Sequence, residues 1–350
     1  MTTTATRPTR PAPLTGARAG SARVAMPVAV GGAVVVLALA VGASVLLGVQ
    51  SLAPGAVLDA VVGSSADART DAIVDSRVAR TLIGLVVGAA VALSGVVLQG
   101  LTRNPIAEPS ILGLNSGAAL AVVLGIRFLG LDDVTGYVLA AIVGTVLVAA
   151  LVQSLTMLAP RSSAPVSMAL AGAAVMALAQ SLIGAVLVTD RGSLDSFRFW
   201  QVGSVAGRDA GGVLDIAPVL VLGALLALTA GPTLNAVALG DDLARGLGQR
   251  VVLHRGLAAG GAVLLAAGAT ALAGPIAFVG LVVPHLVRAL VGVDHRRVLV
   301  LSALLGPAFV VLADVVGRLV SPPSEIQVGI VCAVVGAPVL VLVVRRVRGM

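Results

Sequence analysis

The side chains that usually carry chemistry are few in this chain and poorly spaced for catalysis. Its three histidines, His254, His285 and His295, are dispersed without ligand spacing, so no metal site is expected. The single cysteine, Cys332, lies in an apolar run and can form no disulfide within the chain. All 23 residues counted as lysine plus arginine are arginine. Without lysine there is no P-loop to reach nucleotide phosphates and no Schiff-base nucleophile. If ATP drives this protein, the ATPase is a separate chain. No serine–lysine dyad, zinc pair or paired-carboxylate cluster stands out, so an enzyme is the weakest class and no cofactor is expected.

What remains is mechanical. Residues 233–250, TLNAVALGDDLARGLGQR, predict a short polar helix between two long apolar runs. Leu239, Leu243 and Leu247 recur at i, i+4, i+8 and would share one helix face. Asp241 and Asp242 sit early and Arg245 and Arg250 late, which complements a helix dipole. Asp241 and Arg245 are also spaced for an i, i+4 pair. An amphipathic helix held between membrane spans is what a pump needs to receive force from a separate motor. A surface helix that merely closes a loop fits the same pattern.

Composition settles the setting in which such a helix would work. Of 350 residues, 58% are hydrophobic and 11% charged, with a mean hydropathy of +1.08. A soluble core of this size would need far more charged surface, so the chain is an all-α, polytopic membrane protein. Aromatics make up only 2%, and 42 glycines favour close helix–helix contact. Residues 1–24, rich in Thr, Pro, Ala and Arg, predict a disordered cytoplasmic tail, and 25–350 a single transmembrane domain. Apolar runs at 26–49, 78–101, 108–127, 136–158, 165–188, 213–231, 252–273, 276–293, 298–320 and 326–344 predict ten spans. The first is longer than a signal-peptide core and lacks a convincing cleavage site, which predicts an uncleaved span. With both termini cytoplasmic, fifteen of the 23 arginines fall inside and eight outside, and residues 233–250 lie inside. Partners are then a bilayer and other proteins, with no nucleic acid.

Between the second and third runs lies GLTRNPIAEPSILGLNSGAA, residues 100–119. Two prolines four apart and the Asn115-Ser116-Gly117 step disfavour a continuous lipid-facing helix, and irregular backbone at membrane depth needs protein or water against it. Gln99, Asn104, Asn115 and Ser116 therefore become candidates for lining a translocation pathway. A buried polar network that only locks helices together is the competing reading. Asp314 is the acid expected within a span, either as a proton relay in a carrier or as a structural hydrogen-bonding group.

Several stretches resemble the permease subunits of ABC importers for ferric siderophores, haem and cobalamin, the FecCD-like family. They are RVARTLIGLVVGAAVALSGVVLQGLTRNPIAEPSILGLNSGAAL at 77–120, FWQVGSVAGRD at 199–209 and LNAVALGDDLARGLG at 234–248. Further on come GPIAFVGLVVPHLVRALVGVDHRR at 274–297, LADVVGRL at 312–319 and EIQVGIVCAVVGAPVLVLVVRR at 325–346. The resemblance implies ten spans per subunit in a type II importer fold within a bacterial plasma membrane. It also implies a second permease copy or paralogue, a cytoplasmic ATPase dimer and an extracytoplasmic substrate-binding protein. Residues 234–248 would be the coupling segment, with Leu239, Gly240, Asp241, Asp242, Ala244, Arg245 and Leu247 toward the ATPase. Arg77, Arg80 and Arg318 fall on positions that dock acidic groups of the binding protein; anchoring to lipid headgroups is the alternative. Trp200 is expected at the outer interface beside a short re-entrant helix. The sequence departs from cobalamin-type members at Arg161-Ser162-Ser163-Ala164-Pro165-Val166, where the inner gate is commonly polar. A proton- or cation-coupled secondary transporter is the alternative function.

Overall fold

The computed structural model describes residues 24–64, 67–131, 134–158, 164–189, 197, 200–208, 210–240 and 251–348. The predicted tail lies almost wholly outside these residues, as do Arg161, Ser162 and Ser163. Among the described residues there are twelve helices and no strand. In chain order they are α1 (Met26–Leu46), α2 (Pro54–Val62), α3 (Ala68–Thr102), α4 (Leu114–Leu129), α5 (Val134–Met157) and α6 (Ala164–Thr189). They continue as α7 (Gly211–Thr229), α8 (Gly231–Ala238), α9 (Val251–Ala273), α10 (Val279–Val291), α11 (His295–Val320) and α12 (Val328–Arg348).

Seven of these helices, α1, α3, α5, α6, α7, α9 and α11, are long and apolar enough to cross a membrane. Three shorter apolar helices, α4, α10 and most of α12, occupy the remaining predicted runs. The two extra helices, α2 and α8, lie in connections. Boundaries differ where local chemistry overrides hydropathy. α3 starts at Ala68 rather than 78 because Asp67 caps it, accepting from the backbone N–H groups of Arg69 and Thr70 at 3.1 and 3.2 Å. The Thr70 hydroxyl, then the Arg69 N–H, hold the Asp67 carboxylate below the usual range. That cap is therefore intact at neutral pH and is lost only as pH falls through the lowered pKa. α4 starts at Leu114 rather than 108 because Pro105 and Pro109 fall in the turns that precede it.

α3 is the axis of the bundle. Its 35 residues span about 52 Å, well beyond a hydrocarbon core of about 30 Å, so its ends must leave the apolar layer. It packs against α11, α9 and α10, while α4, α5 and α6 form a second group and α1 lies along α11. Burial follows this order: 78% of the apolar stretch of α3 is buried, against 17% for α1. α1, α5, α6 and α7 thus carry the apolar surface left for lipid or another subunit.

Small residues set how closely the axis is approached. A Cβ on Gly88 of α3 would stand 2.5 Å from the carbonyl oxygen of Gly306 and 2.7 Å from Cα of Pro307 in α11. One on Gly95 would collide with the backbone of Gly280 in α10. Backbone therefore rests on backbone at both crossings, which is how helices gain contact energy where lipid removes the hydrophobic drive for association. Gly88→Leu should lower the melting temperature of the purified protein by several degrees, an overpacking penalty of about 1–3 kcal/mol or more. Gly184→Ala in α6, where a Cβ would meet nothing within 4 Å, should not lower it and should raise it slightly through helix propensity.

Candidate functional site

The three arginines expected at the outer face come together, but they turn inward. α1 ends at Leu46, and the last carbonyls of any helix lack intrahelical partners. Arg77 of α3 donates through Nη1 to the carbonyls of Val45 and Leu46, both at 3.0 Å, and through Nη2 to that of Gln50 at 2.5 Å. Arg318 of α11 donates through Nη1 to the carbonyls of Ser44 and Leu47 at 3.0 and 3.1 Å. Its Nη2 reaches the Ser44 hydroxyl at 2.8 Å and Asp314 Oδ2 at 3.0 Å. Two guanidiniums thus cap one helix C-terminus, where the dipole favours positive charge. Both residues are buried, at 4% and 2% exposure.

Arg80 lies one turn along α3 and does something different. Its Nη2 pairs with Asp314 Oδ1 at 2.8 Å and its Nη1 with Glu325 Oε2 at 2.7 Å. Asp314 is therefore shared between two arginines and is an ion-pair hub. Glu325 has no counterpart among the residues singled out from sequence. It is found only because the turn after α11 folds back over α3. Gly48, Gln50, Arg69, Arg77, Arg80, Arg318 and Glu325 are among the residues lining a cavity of about 450 Å³. With four arginines against one carboxylate among these, the cavity suits an incoming acidic side chain.

The polar residues around the α3–α4 connection are engaged by separate partners rather than by one another. Gln99 is buried and ties α3 to α10, donating to the Gly280 carbonyl at 2.8 Å and accepting from Arg288 Nη1 at 2.5 Å. Asn104 accepts from the Ile106 N–H at 3.1 Å, a local turn, and Asn115 accepts from the Thr270 hydroxyl of α9 at 3.2 Å. Ser116 is buried on α4. Sequence reasoning missed Glu108, whose carboxylate accepts from the Phe278 N–H at 3.1 Å and from the Ser110 hydroxyl. Phe278 takes a left-handed φ of 69° at the start of α10, and Glu108 satisfies the N–H exposed there. The available signal was a lone acid beside a proline between two spans. Trp200 corrects another expectation: it is 3% exposed and stacks on Phe197 with centroids 5.8 Å apart, so it is a core residue rather than an interfacial anchor.

Of the helix expected over 233–250, the described part ends early. α8 ends at Ala238, the Leu239 and Gly240 N–H groups close onto Ala236 and Val237 at 3.1 and 3.2 Å, and Gly240 has φ 111°. That backbone region is open to glycine and strained for other residues, so the helix stops there. The Leu239 side chain is 64% exposed at this end. Asp241, Asp242, Ala244, Arg245 and Leu247 lie outside the described residues.

Three substitutions separate the energetic roles. Asp314→Asn should destabilise the protein by about 3–5 kcal/mol, read by thermal unfolding in detergent, because it leaves the buried Arg318 without its carboxylate. Glu108→Gln should hold stability near the parent value, since an amide oxygen still accepts from Phe278. Glu108→Ala should cost about 1–3 kcal/mol by orphaning two donors, measured the same way.

Comparison with known proteins places this arrangement. A family model described as the FecCD transport family matches residues 35–346. The ferric enterobactin transport system permease protein FepD of Escherichia coli (strain K12) is 38% identical over 93% of this chain and 98% of its own length. The Fe(3+) dicitrate transport system permease protein FecD of the same organism is 38% identical over 79% of this chain and 86% of its own. The iron-uptake system permease protein FeuB of Bacillus subtilis (strain 168) is 32% identical over 89% of this chain and 94% of its own. Among solved structures, an inward-facing conformation of a metal-chelate type ABC transporter matches with a TM-score of 0.78 at 29% identity, covering 91% of this chain and 99% of that one. The chain is a multi-pass membrane protein and belongs to the FecCD transport family.

Proposed function

We propose that the chain is the membrane permease subunit of an ATP-binding cassette importer that moves a ferric siderophore complex, or a related haem or cobalamin cargo, into the cytoplasm by alternating access. The observation that carries this reading is the family match over 35–346, joined to relatives named for ferric enterobactin, ferric dicitrate and iron uptake. The absence of lysine supports a division of labour in which a cytoplasmic ATPase dimer hydrolyses ATP and this chain performs no catalysis. In this reading a second permease, identical or related, completes the pathway in a bacterial plasma membrane. Both termini are cytoplasmic. The exposed end of α8, with Leu239, Gly240 and the residues up to Leu247, meets the ATPase.

On the opposite side, the cavity at Arg69, Arg77, Arg80 and Arg318 receives an acidic side chain of the substrate-binding protein. Because Arg77 and Arg318 are already engaged with α1, and Arg80 with Asp314 and Glu325, the accessible attraction rests on Arg69 and the excess positive field. Such docking acts mainly on association rate and weakens with salt. Pathway lining by Gln99, Asn104, Asn115 and Ser116 belongs to a state in which the α3–α10 and α4–α9 contacts rearrange.

The secondary-carrier alternative needs a titratable relay, and Asp314 is held between Arg80 and Arg318 instead. The test is uptake of a radiolabelled ferric tricatecholate or ferric citrate into proteoliposomes holding the permease, its ATPase and binding protein. Uptake should require ATP, survive an ionophore that collapses the proton gradient, and vanish when the ATPase loses its phosphate-binding lysine. Uptake that persists without that lysine and stops with the ionophore overturns the reading.

A further inference from the structure

The interior end of the molecule contains a clasp at the start of the coupling segment that the docking arginines do not account for. Asn235 of α8 presents its side-chain amide to the first turn of α11. Its Nδ2 donates to Asp294 Oδ1 at 2.8 Å. Its Oδ1 accepts from the His295 backbone N–H at 2.9 Å and faces His295 Nδ1 at 2.9 Å. Asp294 is at the same time the N-cap of α11, accepting from the Arg296 N–H at 3.0 Å. One amide therefore grips a helix at the residue that starts it.

The surroundings leave this grip little slack. Leu234, next to Asn235, is fully buried. A Cβ on Gly100 of α3 would stand 2.9 Å from Leu234 Cδ2 and 3.1 Å from His295 Nε2. One on Gly231 would stand 2.8 Å from Cγ of Arg296. Thus α8 is wedged between the inner ends of α3 and α11, the two helices that carry Arg77, Arg80, Asp314 and Arg318 at their other ends. Between those ends α3 and α11 are held backbone to backbone at Gly88 and Gly306.

We infer that Asn235 and Asp294 form the joint through which displacement of the coupling segment is passed to α11 and α3, so that they are positioning residues for transport. This deepens the importer reading and rests on it. A short helix ending in a glycine at φ 111° cannot push two long helices unless its own body is fixed to them. Apolar contact alone would let it slide. A half-buried amide that uses both an N–H and its oxygen fixes direction as well as distance.

The test measures substrate imported per ATP hydrolysed, in proteoliposomes of the complete transporter with radiolabelled ferric tricatecholate as probe. Asn235→Asp sets two carboxylates against each other, and the ratio should fall about tenfold. Asp294→Ser keeps a good N-cap for α11 but withdraws the carboxylate from Asn235, and the ratio should fall about threefold. Combined, Asn235→Asp with Asp294→Ser removes the repulsion while His295 still has its acceptor, so the ratio should recover to at least the Asp294→Ser level. A parental ratio in Asp294→Ser, or a double variant as uncoupled as Asn235→Asp alone, overturns the joint. A parent complex that imports no ferric chelate, haem or cobalamin on ATP addition instead overturns the functional reading, which keeps the two failures apart.

Discussion

The fold depends on how the C-terminus of α1 is finished. The C-terminal carbonyls of α1 need donors, and at a membrane boundary an unsatisfied carbonyl is expensive. Arg77 and Arg318 supply those donors from two other helices, and Asp314 neutralises part of the charge this brings inside. Because each arginine sits on a different long helix, one capping requirement fixes α1, α3 and α11 relative to one another. Arg80 and Glu325 extend the same network to the turn before α12. Removing any member leaves another charge or carbonyl stranded, which makes the cluster cooperative.

From that end inward, the glycine-faced crossings of α3 turn a set of long helices into a stiff axis. Polar contacts then recur where backbone is irregular: Gln99 and Glu108 at the start of α10, Asn115 at α9. This distribution suits a transporter whose chemistry is movement. Rigid rods are cross-linked at their ends and at one central junction, and broad apolar faces on α5, α6 and α7 are left for lipid or a second subunit. Alternating access requires a few bodies that keep their shape while contacts between them change.

Much of the architecture was legible in sequence because lipid imposes a crude rule that hydropathy captures. Each of the ten apolar runs corresponds to one apolar helix, with shifts where Asp67 or the prolines at 105 and 109 decide the boundary. The site was legible by residue type more than by role. Arg77, Arg80 and Arg318 were singled out for docking a binding protein; that two of them also cap α1 was not legible, since a guanidinium's direction depends on a helix end far away in sequence. Gln99 drew attention as a polar residue in an apolar segment, but its partners, Gly280 and Arg288, are about 180 and 190 residues later. Glu108 and Glu325 escaped notice because nothing local shows which donor a lone carboxylate will meet.

The sequence by itself determined the class of molecule, the number and order of apolar helices, the lack of lysine chemistry and the family stretches, for these follow from composition and local pattern. Only the tertiary structure decided that α8 stops before Gly240, that Trp200 is a core residue, and that Asn235 grips Asp294. It also decided that one aspartate serves two arginines. The physical reason is that hydrophobicity is additive along a chain and can be summed in a window. Hydrogen bonds and ion pairs are properties of pairs, and in a membrane protein their partners are brought together by helix packing rather than by proximity in sequence.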